Sequence, residues 1–144
     1  MKETKALFRT LIVTSLLMFI FSACKKNSIK NCTQHAVSEC TEDSTKTNIR
    51  ILNNTKYDFC NVVLDPVSGP VNCGIVKKGE TTCYRSFDTA YNYAYIRFYI
   101  GDKEFKLQPI DYVGEEPLGV GKFTYVIDIH DYAAGKMNIG LIPD

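Results

Sequence analysis

The sequence predicts an all-β protein built as a single antiparallel β-sandwich. From residue 47 onward, short runs rich in β-branched and aromatic residues recur between turn signals about every 8–14 residues. The chain of 144 residues contains nine tyrosines and eight phenylalanines, which provide ample bulk for a core. No segment in this part of the chain shows the 3.6-residue apolar period of an amphipathic helix. The core should therefore be made of strands.

The predicted strands are eight short runs separated by turns. NYAYIRFYI at 92–100 is the strongest of them, because it alternates over its whole length. KKGE lies between the third and fourth runs, and its glycine suits a tight hairpin. Eight such strands are typical of an antiparallel sandwich of immunoglobulin-like size. The runs are 48–52, 57–64, 71–76, 81–87, 92–100, 104–110, 123–129 and 136–142.

The N-terminal segment predicts a cleaved signal peptide. A lysine- and arginine-containing start precedes the apolar run LIVTSLLMFIF at 11–21. This run is too short to span a bilayer, which takes about 20 apolar residues, and has the length of a signal-peptide core. It ends at Ser22-Ala23-Cys24, where two small residues directly precede a cysteine. These residues resemble the lipobox of bacterial lipoproteins, in which the chain is cut before the cysteine and the thiol receives a lipid.

The lipobox resemblance implies that Cys24 carries a lipid anchor, and two or three acyl chains anchor a protein stably. Residues 25–46 are polar and lack apolar periodicity, which predicts a flexible tether. We therefore expect a signal peptide at 1–23, the lipidated cysteine and tether at 24–46, and the sandwich at 47–144. Neither an aspartate nor an acidic run follows Cys24, which favours the periplasmic face of the outer membrane over the cell surface.

Taken whole, the chain resembles small lipoproteins of Gram-negative bacteria, of unassigned activity, in which one immunoglobulin-like domain follows a lipobox. Besides Ser22-Ala23-Cys24, the resemblance is carried by the tract from YAYIRFYI through QPIDYVGEEPL to GKFTYVIDI. It covers about residues 47–144. The resemblance implies an envelope location and a sandwich fold, and it supplies no catalytic residues.

Five cysteines remain after the lipidated one, and an oxidising envelope favours disulfides. A hairpin at KKGE would place Cys73 opposite Cys83, so we expect this pair to form a disulfide. We expect Cys32–Cys40 to close a local loop in the tether. If DPVSGP closes a true hairpin, Cys60 also faces Cys73, and only one partner can bond it. With the pairs above, Cys60 is the unpaired cysteine.

One face of the strand at 92–100 carries the candidate binding surface, which consists of Tyr93, Tyr95, Arg97 and Tyr99, with Tyr91 just before the strand. If exposed, these residues suit recognition of a protein or a sugar. The alternative is that loops or neighbouring strands cover the tyrosines and their hydroxyls bind polar partners. The opposite face is expected to be core; it consists of Ala94, Ile96, Phe98 and Ile100.

Three carboxylates cluster in the loop before the seventh run, at Asp111, Glu115 and Glu116. Paired carboxylates hydrolyse glycosides when one has a raised pKa and both line a cleft. A charged, solvated loop is the simpler interpretation. Cys32, His35 and Cys40 supply only three zinc ligands, so no metal site is expected.

The leading functional hypothesis is a non-enzymatic, lipid-anchored envelope protein that presents a binding or structural surface. Its partners would be the membrane, through the lipid, and an envelope protein or a glycan. A small periplasmic hydrolase or carbohydrate-active module using the loop carboxylates is the second hypothesis, and an inhibitor or immunity-type protein is the third. A formal net charge of +1 gives no basis for nucleic-acid binding, and no cofactor is expected.

Overall fold

The computed structural model describes Cys32 and residues 35–144 of the chain. The expected all-β class is confirmed, and this part of the chain contains eight strands, as predicted. The predicted signal peptide and Cys24 lie outside the described residues. The strands are β1 (Thr47–Asn53), β2 (Phe59–Asp65), β3 (Val71–Val76), β4 (Arg85–Phe87), β5 (Tyr95–Ile100), β6 (Lys103–Leu107), β7 (Gly121–Asp131) and β8 (Lys136–Pro143).

Two four-stranded sheets form the sandwich. One has the order β4-β1-β7-β8 and the other has the order β3-β2-β5-β6. β1 and β7 run parallel from the pair Thr47–Gly121 to the pair Asn53–Ile127, so the first is a mixed sheet. The second is an antiparallel sheet. The prediction of a wholly antiparallel sandwich is therefore wrong for one sheet, because the strands between β1 and β7 provide the long crossover that a parallel pair needs.

The core lies between the two sheets and follows the period-2 alternation of the strands. Phe59 of β2 stacks on Phe98 of β5 with ring centroids 3.9 Å apart, and Phe98 stacks in turn on Phe105 of β6 at 5.5 Å. The mixed sheet contributes the fully buried Tyr125, whose hydroxyl donates a hydrogen bond of 2.6 Å to the carbonyl of Tyr91. The predicted core face of the strand at 92–100 is confirmed, because Ala94, Ile96, Phe98 and Ile100 are all buried.

The predicted hairpin at KKGE does not form. β3 ends at Val76, and the chain turns at Gly79, whose φ of 73° suits glycine. After the turn the chain leaves the antiparallel sheet and enters the mixed sheet, where β4 pairs with β1. The strands on either side of the turn thus belong to different sheets. Cys73 therefore does not face Cys83 across a ladder.

The disulfides differ from the predicted pairs. Cys32 bonds Cys60 with Cα atoms 5.2 Å apart, and Cys40 bonds Cys83 with Cα atoms 5.7 Å apart. Cys73 is free and lies in the core, where burial raises the pKa of its thiol to about 11. The predicted Cys73–Cys83 and Cys32–Cys40 bonds are therefore wrong. The prediction that Cys60 is unpaired is wrong as well.

A β-bulge explains why Cys60 does not face Cys73. Val62 and Leu64 point into the core, and strict alternation would place Cys60 on the same side. The register of β2 shifts between Phe59 and Val62, at Asn61, whose φ is 51°. The extra residue lets both Phe59 and Val62 face the core and leaves Cys60 pointing outward.

Residues 36–41 form a strap across the side of the sandwich where β3 and β4 are the edge strands. The Ser38 amide donates to the Asn72 carbonyl of β3 at 2.8 Å. Farther along, Thr41 forms a parallel bridge with Arg85 of β4. These residues belong to the segment for which a flexible tether is predicted, and the Cys40–Cys83 disulfide and backbone hydrogen bonds fasten them to the sandwich.

The strap covers a buried cation. Arg85 is 3% exposed, and its guanidinium donates to the carbonyl oxygens of Ser38 at 2.8 Å and of Cys83 at 3.4 Å. Burying a charge is costly unless polar groups compensate for the lost water. The strap carbonyl provides part of that compensation, so the strap and the side chain stabilise each other.

On the outer side of the mixed sheet, three side chains hold the Asp144 carboxylate. The hydroxyls of Thr124 and Tyr84 donate to it at 2.6 and 2.8 Å, and the Arg50 guanidinium does so at 2.8 Å. Partial burial by itself raises the pKa of Asp144, but the hydrogen bonds outweigh burial and the pKa is lowered from 3.8.

In the part of the chain that the structure describes, no helix is long and apolar enough to cross a membrane.

Candidate functional site

The predicted tyrosine surface divides into two parts in the structure. Tyr95, Arg97 and Tyr99 project from β5 away from the core and are half-buried. Tyr91 and Tyr93 precede the strand and join a separate cluster at the end of the sandwich. These tyrosines are therefore neither fully buried nor freely exposed, and the two parts have different surroundings.

The tyrosine cluster consists of Tyr91, Tyr93 and Tyr112. Tyr112 comes from the long loop between β6 and β7, and its ring stacks on Tyr91 at 4.6 Å and on Tyr93 at 5.4 Å. Partial burial raises the pKa of Tyr112, and the nearby Asp65 carboxylate raises it further. The loop is thus held against the strand ends by ring stacking, which leaves one flank of Tyr112 facing a groove.

The groove has a volume of about 160 Å³ and opens at the end of the antiparallel sheet. Asp65 and Tyr95 form its base because they are paired residues at the end of β2 and the start of β5. Aromatic rings next to a carboxylate and an amide give it both apolar and hydrogen-bonding character. The residues that line it are Asp65, Val67, Tyr95, Gln108, Pro109 and Tyr112.

Val67 at the rim of the groove has a strained backbone. Its φ is 97°, a value that a β-branched residue rarely adopts. The Asp65 carboxylate accepts hydrogen bonds from the Val67 amide at 2.9 Å and from the Gly69 amide at 3.2 Å. These bonds hold the turn in place. One Asp65 oxygen therefore fixes the rim, while its other oxygen forms no hydrogen bond with the described residues.

Exposed aliphatic side chains surround the cluster. Ile110 is 99% exposed and Val113 is 88% exposed, and both lie in the same loop as Tyr112. Val67 is 52% exposed. Large apolar side chains grouped at one end of a domain, next to aromatic rings, are typical of a surface that binds a partner.

The three predicted loop carboxylates line neither of two cavities in the described part of the chain. The Asp111 carboxylate accepts a bond from the Val113 amide at 3.2 Å, and the Glu115 carboxylate accepts one from the Tyr93 hydroxyl at 3.2 Å. Neither the groove nor a second cavity of about 270 Å³ beside Asp88 is lined by Asp111, Glu115 or Glu116. The geometry that a glycosidase needs is not formed at either cavity.

The second part of the predicted surface is the outward face of the antiparallel sheet, which we define as Cys60, Val63, Asp65, Tyr95, Arg97, Tyr99, Glu104 and Lys106. Arg97 lies at its centre, paired with Val63 on one side and with Lys106 on the other. The Tyr99 hydroxyl donates to Glu104 at 2.7 Å, and this bond raises the pKa of Tyr99.

The ion pairs among the described residues are Lys46–Asp88, Arg50–Asp144 and Lys122–Glu42. Neither Arg97 nor Lys106 has a carboxylate within ion-pairing distance in this part of the chain. The buried Nε of Arg97 has no hydrogen-bond partner there either. The outward face therefore carries two adjacent cations that form no ion pair with the described residues, together with the carboxylates of Asp65 and Glu104.

No metal centre is formed by the predicted ligands. Cys32 and Cys40 are each consumed by a disulfide. Within residues 35–144 and Cys32, no group of three or more His, Cys, Asp or Glu side chains is placed to hold a metal ion.

Sequence reasoning missed the residues that complete the groove, namely Asp65, Val67, Gln108 and Tyr112. They come from two loops and one strand end that only the topology brings together. The one available signal was the tyrosine in QPIDYVGEEPL, which stands in a loop where nothing local requires an aromatic residue.

Comparison with known proteins gives no match: no protein-family model, no curated protein and no solved structure is similar to this chain. Functional inference therefore depends on the groove, the outward face and the N-terminal sequence.

Proposed function

We propose that the protein is a lipid-anchored, non-enzymatic component of the bacterial cell envelope that binds a partner through the groove and its rim. The observation that carries this proposal is the groove at the end of the antiparallel sheet, where Tyr95 and Tyr112 meet Asp65. Two highly exposed aliphatic residues, Ile110 and Val113, lie on either side of Tyr112 in the same loop. The anchor would be Cys24, and the periplasmic face of the outer membrane is the proposed site. The relation to immunoglobulin-like domains stays a prediction.

A protein is the favoured partner. Ile110 and Val113 would gain most from an apolar protein surface, because burying a side chain of this size contributes about 1.5–3 kcal/mol. Stacked tyrosines supply broad contact area and already have fixed positions, so binding orders few additional groups. Tyrosine is also enriched among the residues that dominate binding energy.

The test is site-specific photocrosslinking in the native envelope. A photoreactive amino acid at Val113 should capture one defined protein, whereas the same amino acid at Lys136, on the exposed β8, should not. The captured protein is then purified, and its affinity for this protein is measured. Tyr112→Ala should weaken binding about tenfold or more, as expected for a central aromatic residue.

Tyr132→Ala is the matched control, since Tyr132 is also a partly exposed loop tyrosine but packs on Tyr57 and Phe105, away from the groove. Equal affinity losses for the two variants would refute a binding role of the groove. The absence of a Val113-specific product would also count against it.

A glycan is the second candidate partner. Sugars bind where aromatic rings lie beside carboxylate and amide groups, and the groove offers Tyr95, Tyr112, Asp65 and Gln108 in that arrangement. Sedimentation with purified peptidoglycan sacculi distinguishes the candidates. Cosedimentation that Tyr112→Ala abolishes and Tyr132→Ala leaves intact would favour the glycan.

A further inference from the structure

The disulfide between Cys32 and Cys60 determines where the N-terminal segment joins the domain. Cys60 belongs to the outward face of the antiparallel sheet and is the ladder partner of Tyr99. Since Cys32 is bonded to it, the chain that leads back to Cys24 starts from this face. It does not start from the side or the end of the sandwich, where β1 begins.

The same bond shortens the connection between a lipid on Cys24 and the fold. Eight residues separate Cys24 from Cys32, so the connection spans at most about 28 Å when fully extended. Without the bond, the connection would run to the strap, which begins at Ala36, and reach about 42 Å. The crosslink thus confines the outward face to the neighbourhood of the membrane.

The chemistry of the outward face suits lipid headgroups. Arg97 and Lys106 are adjacent and lack a carboxylate partner among the described residues, and phosphate is a preferred ligand of both side chains. Tyr95 and Tyr99 flank them, and tyrosine is enriched at membrane–water interfaces. The two carboxylates on this face are engaged within the fold: Glu104 accepts a hydrogen bond from the Tyr99 hydroxyl, and Asp65 accepts from the amides of Val67 and Gly69.

We propose that the outward face of the antiparallel sheet rests on the membrane that holds the lipid anchor, with Arg97 and Lys106 binding lipid phosphates. This inference rests on the proposed lipid at Cys24. Tyr95 lies four residues along β5 from Tyr99, which is about 13 Å in a strand. The groove therefore opens beside the headgroups, and its partner must be reachable at the membrane surface.

The test is paramagnetic relaxation enhancement by a nitroxide-labelled lipid. The full lipidated protein, isotope-labelled, is inserted into nanodiscs of phosphatidylethanolamine and phosphatidylglycerol that contain the label. Amide signals of β5 and β6 should be enhanced about tenfold more than those of β1 and β7, because packed sheets lie about 10 Å apart and the effect falls steeply with distance. Equal enhancement in both sheets, or a greater one in the mixed sheet, overturns the inference.

Charge reversal tests the phosphate contacts with a matched control. Lys106 and Lys136 are exposed strand lysines, one in each sheet, and each precedes or follows a buried core residue. Lys106→Glu should lower the ratio of the relaxation enhancement in β5 and β6 to that in β1 and β7 at least twofold, while Lys136→Glu leaves this ratio unchanged. Equal effects of the two substitutions overturn the role of the cations.

Removing the crosslink separates orientation from anchoring. In the double variant Cys32→Ser, Cys60→Ser, the ratio should fall towards one while the protein still floats with lipid vesicles, and a dispersed amide spectrum verifies the fold. A ratio that stays at the wild-type value overturns the inference. Wild-type protein that does not float refutes the lipid anchor itself, which is a different result from a floating protein with no preferred face.

Discussion

Loss of the Cys40–Cys83 disulfide should strongly destabilise the protein. The bond closes a loop with a sequence separation of 43, for which the chain-entropy relation gives about 4 kcal/mol at 25 °C. It also holds the strap, whose Ser38 carbonyl accepts a hydrogen bond from the buried Arg85 guanidinium. In the double variant Cys40→Ser, Cys83→Ser, the free energy of unfolding should fall by about that amount.

The assay is urea unfolding in non-reducing buffer, followed by far-ultraviolet circular dichroism. With a slope of about 1.5 kcal/mol per molar urea, a loss of 4 kcal/mol lowers the unfolding midpoint by about 2–3 M. A change of less than about 0.5 M would refute the view that this bond fastens the strap to the fold.

Cys73→Ala is the control that separates the observed pairing from the one predicted from sequence. In the structure Cys73 is a free core thiol, so its truncation leaves both disulfides intact and should cost only about 1 kcal/mol. If Cys73 were bonded to Cys83, this single change would destabilise the protein as much as the double variant. Peptide mapping without reduction should show Cys40 linked to Cys83.

Three further predictions concern single sites. Gly74→Ala should lower the free energy of unfolding, measured in urea, more than Gly79→Ala does. Both glycines have a φ of 73°, which costs an alanine about 1–2 kcal/mol, but only at Gly74 would a Cβ lie 2.7 Å from the Val37 side chain. Equal losses for the two variants would contradict that contact. The fold lowers the pKa of Asp144 from 3.8, so its carboxylate should contribute stability that is present above about pH 4 and lost as the pH falls through the folded pKa. In Asp144→Asn, the free energy of unfolding should therefore change less between about pH 4 and about pH 2 than in the wild type. The same pH dependence in both proteins would contradict this. The Cys73 thiol should resist iodoacetamide at pH 8 in the native protein, because burial raises its pKa to about 11, and should react once the protein is unfolded. Mass spectrometry follows the labelling. Rapid labelling of the native protein would contradict the buried position.

The strands themselves could be predicted because alternation is a local property. β5 shows this most clearly: the core face predicted from NYAYIRFYI is buried, and Tyr95, Arg97 and Tyr99 lie on the opposite face. The partners of the strands could not be predicted in the same way. The turn at Gly79 has the same local chemistry whether the next strand folds back onto β3 or crosses to the other sheet.

The disulfide prediction failed because it depended on that hairpin and on uninterrupted alternation. The bulge at Asn61 shifts the phase of β2, and the residue type alone does not signal it. The strap was missed for a different reason. Its attachments are the Cys40–Cys83 disulfide and backbone hydrogen bonds, and neither requires the apolar side chains from which sequence reasoning recognises ordered structure.

The bulge at Asn61 links core packing to the position of the N-terminal segment. It lets Phe59 and Val62 both fill the core, and for the same reason Cys60 points outward, where it bonds Cys32. One extra residue in a core strand therefore decides that Cys60 bonds Cys32 on the outward face of the sheet and not within the core.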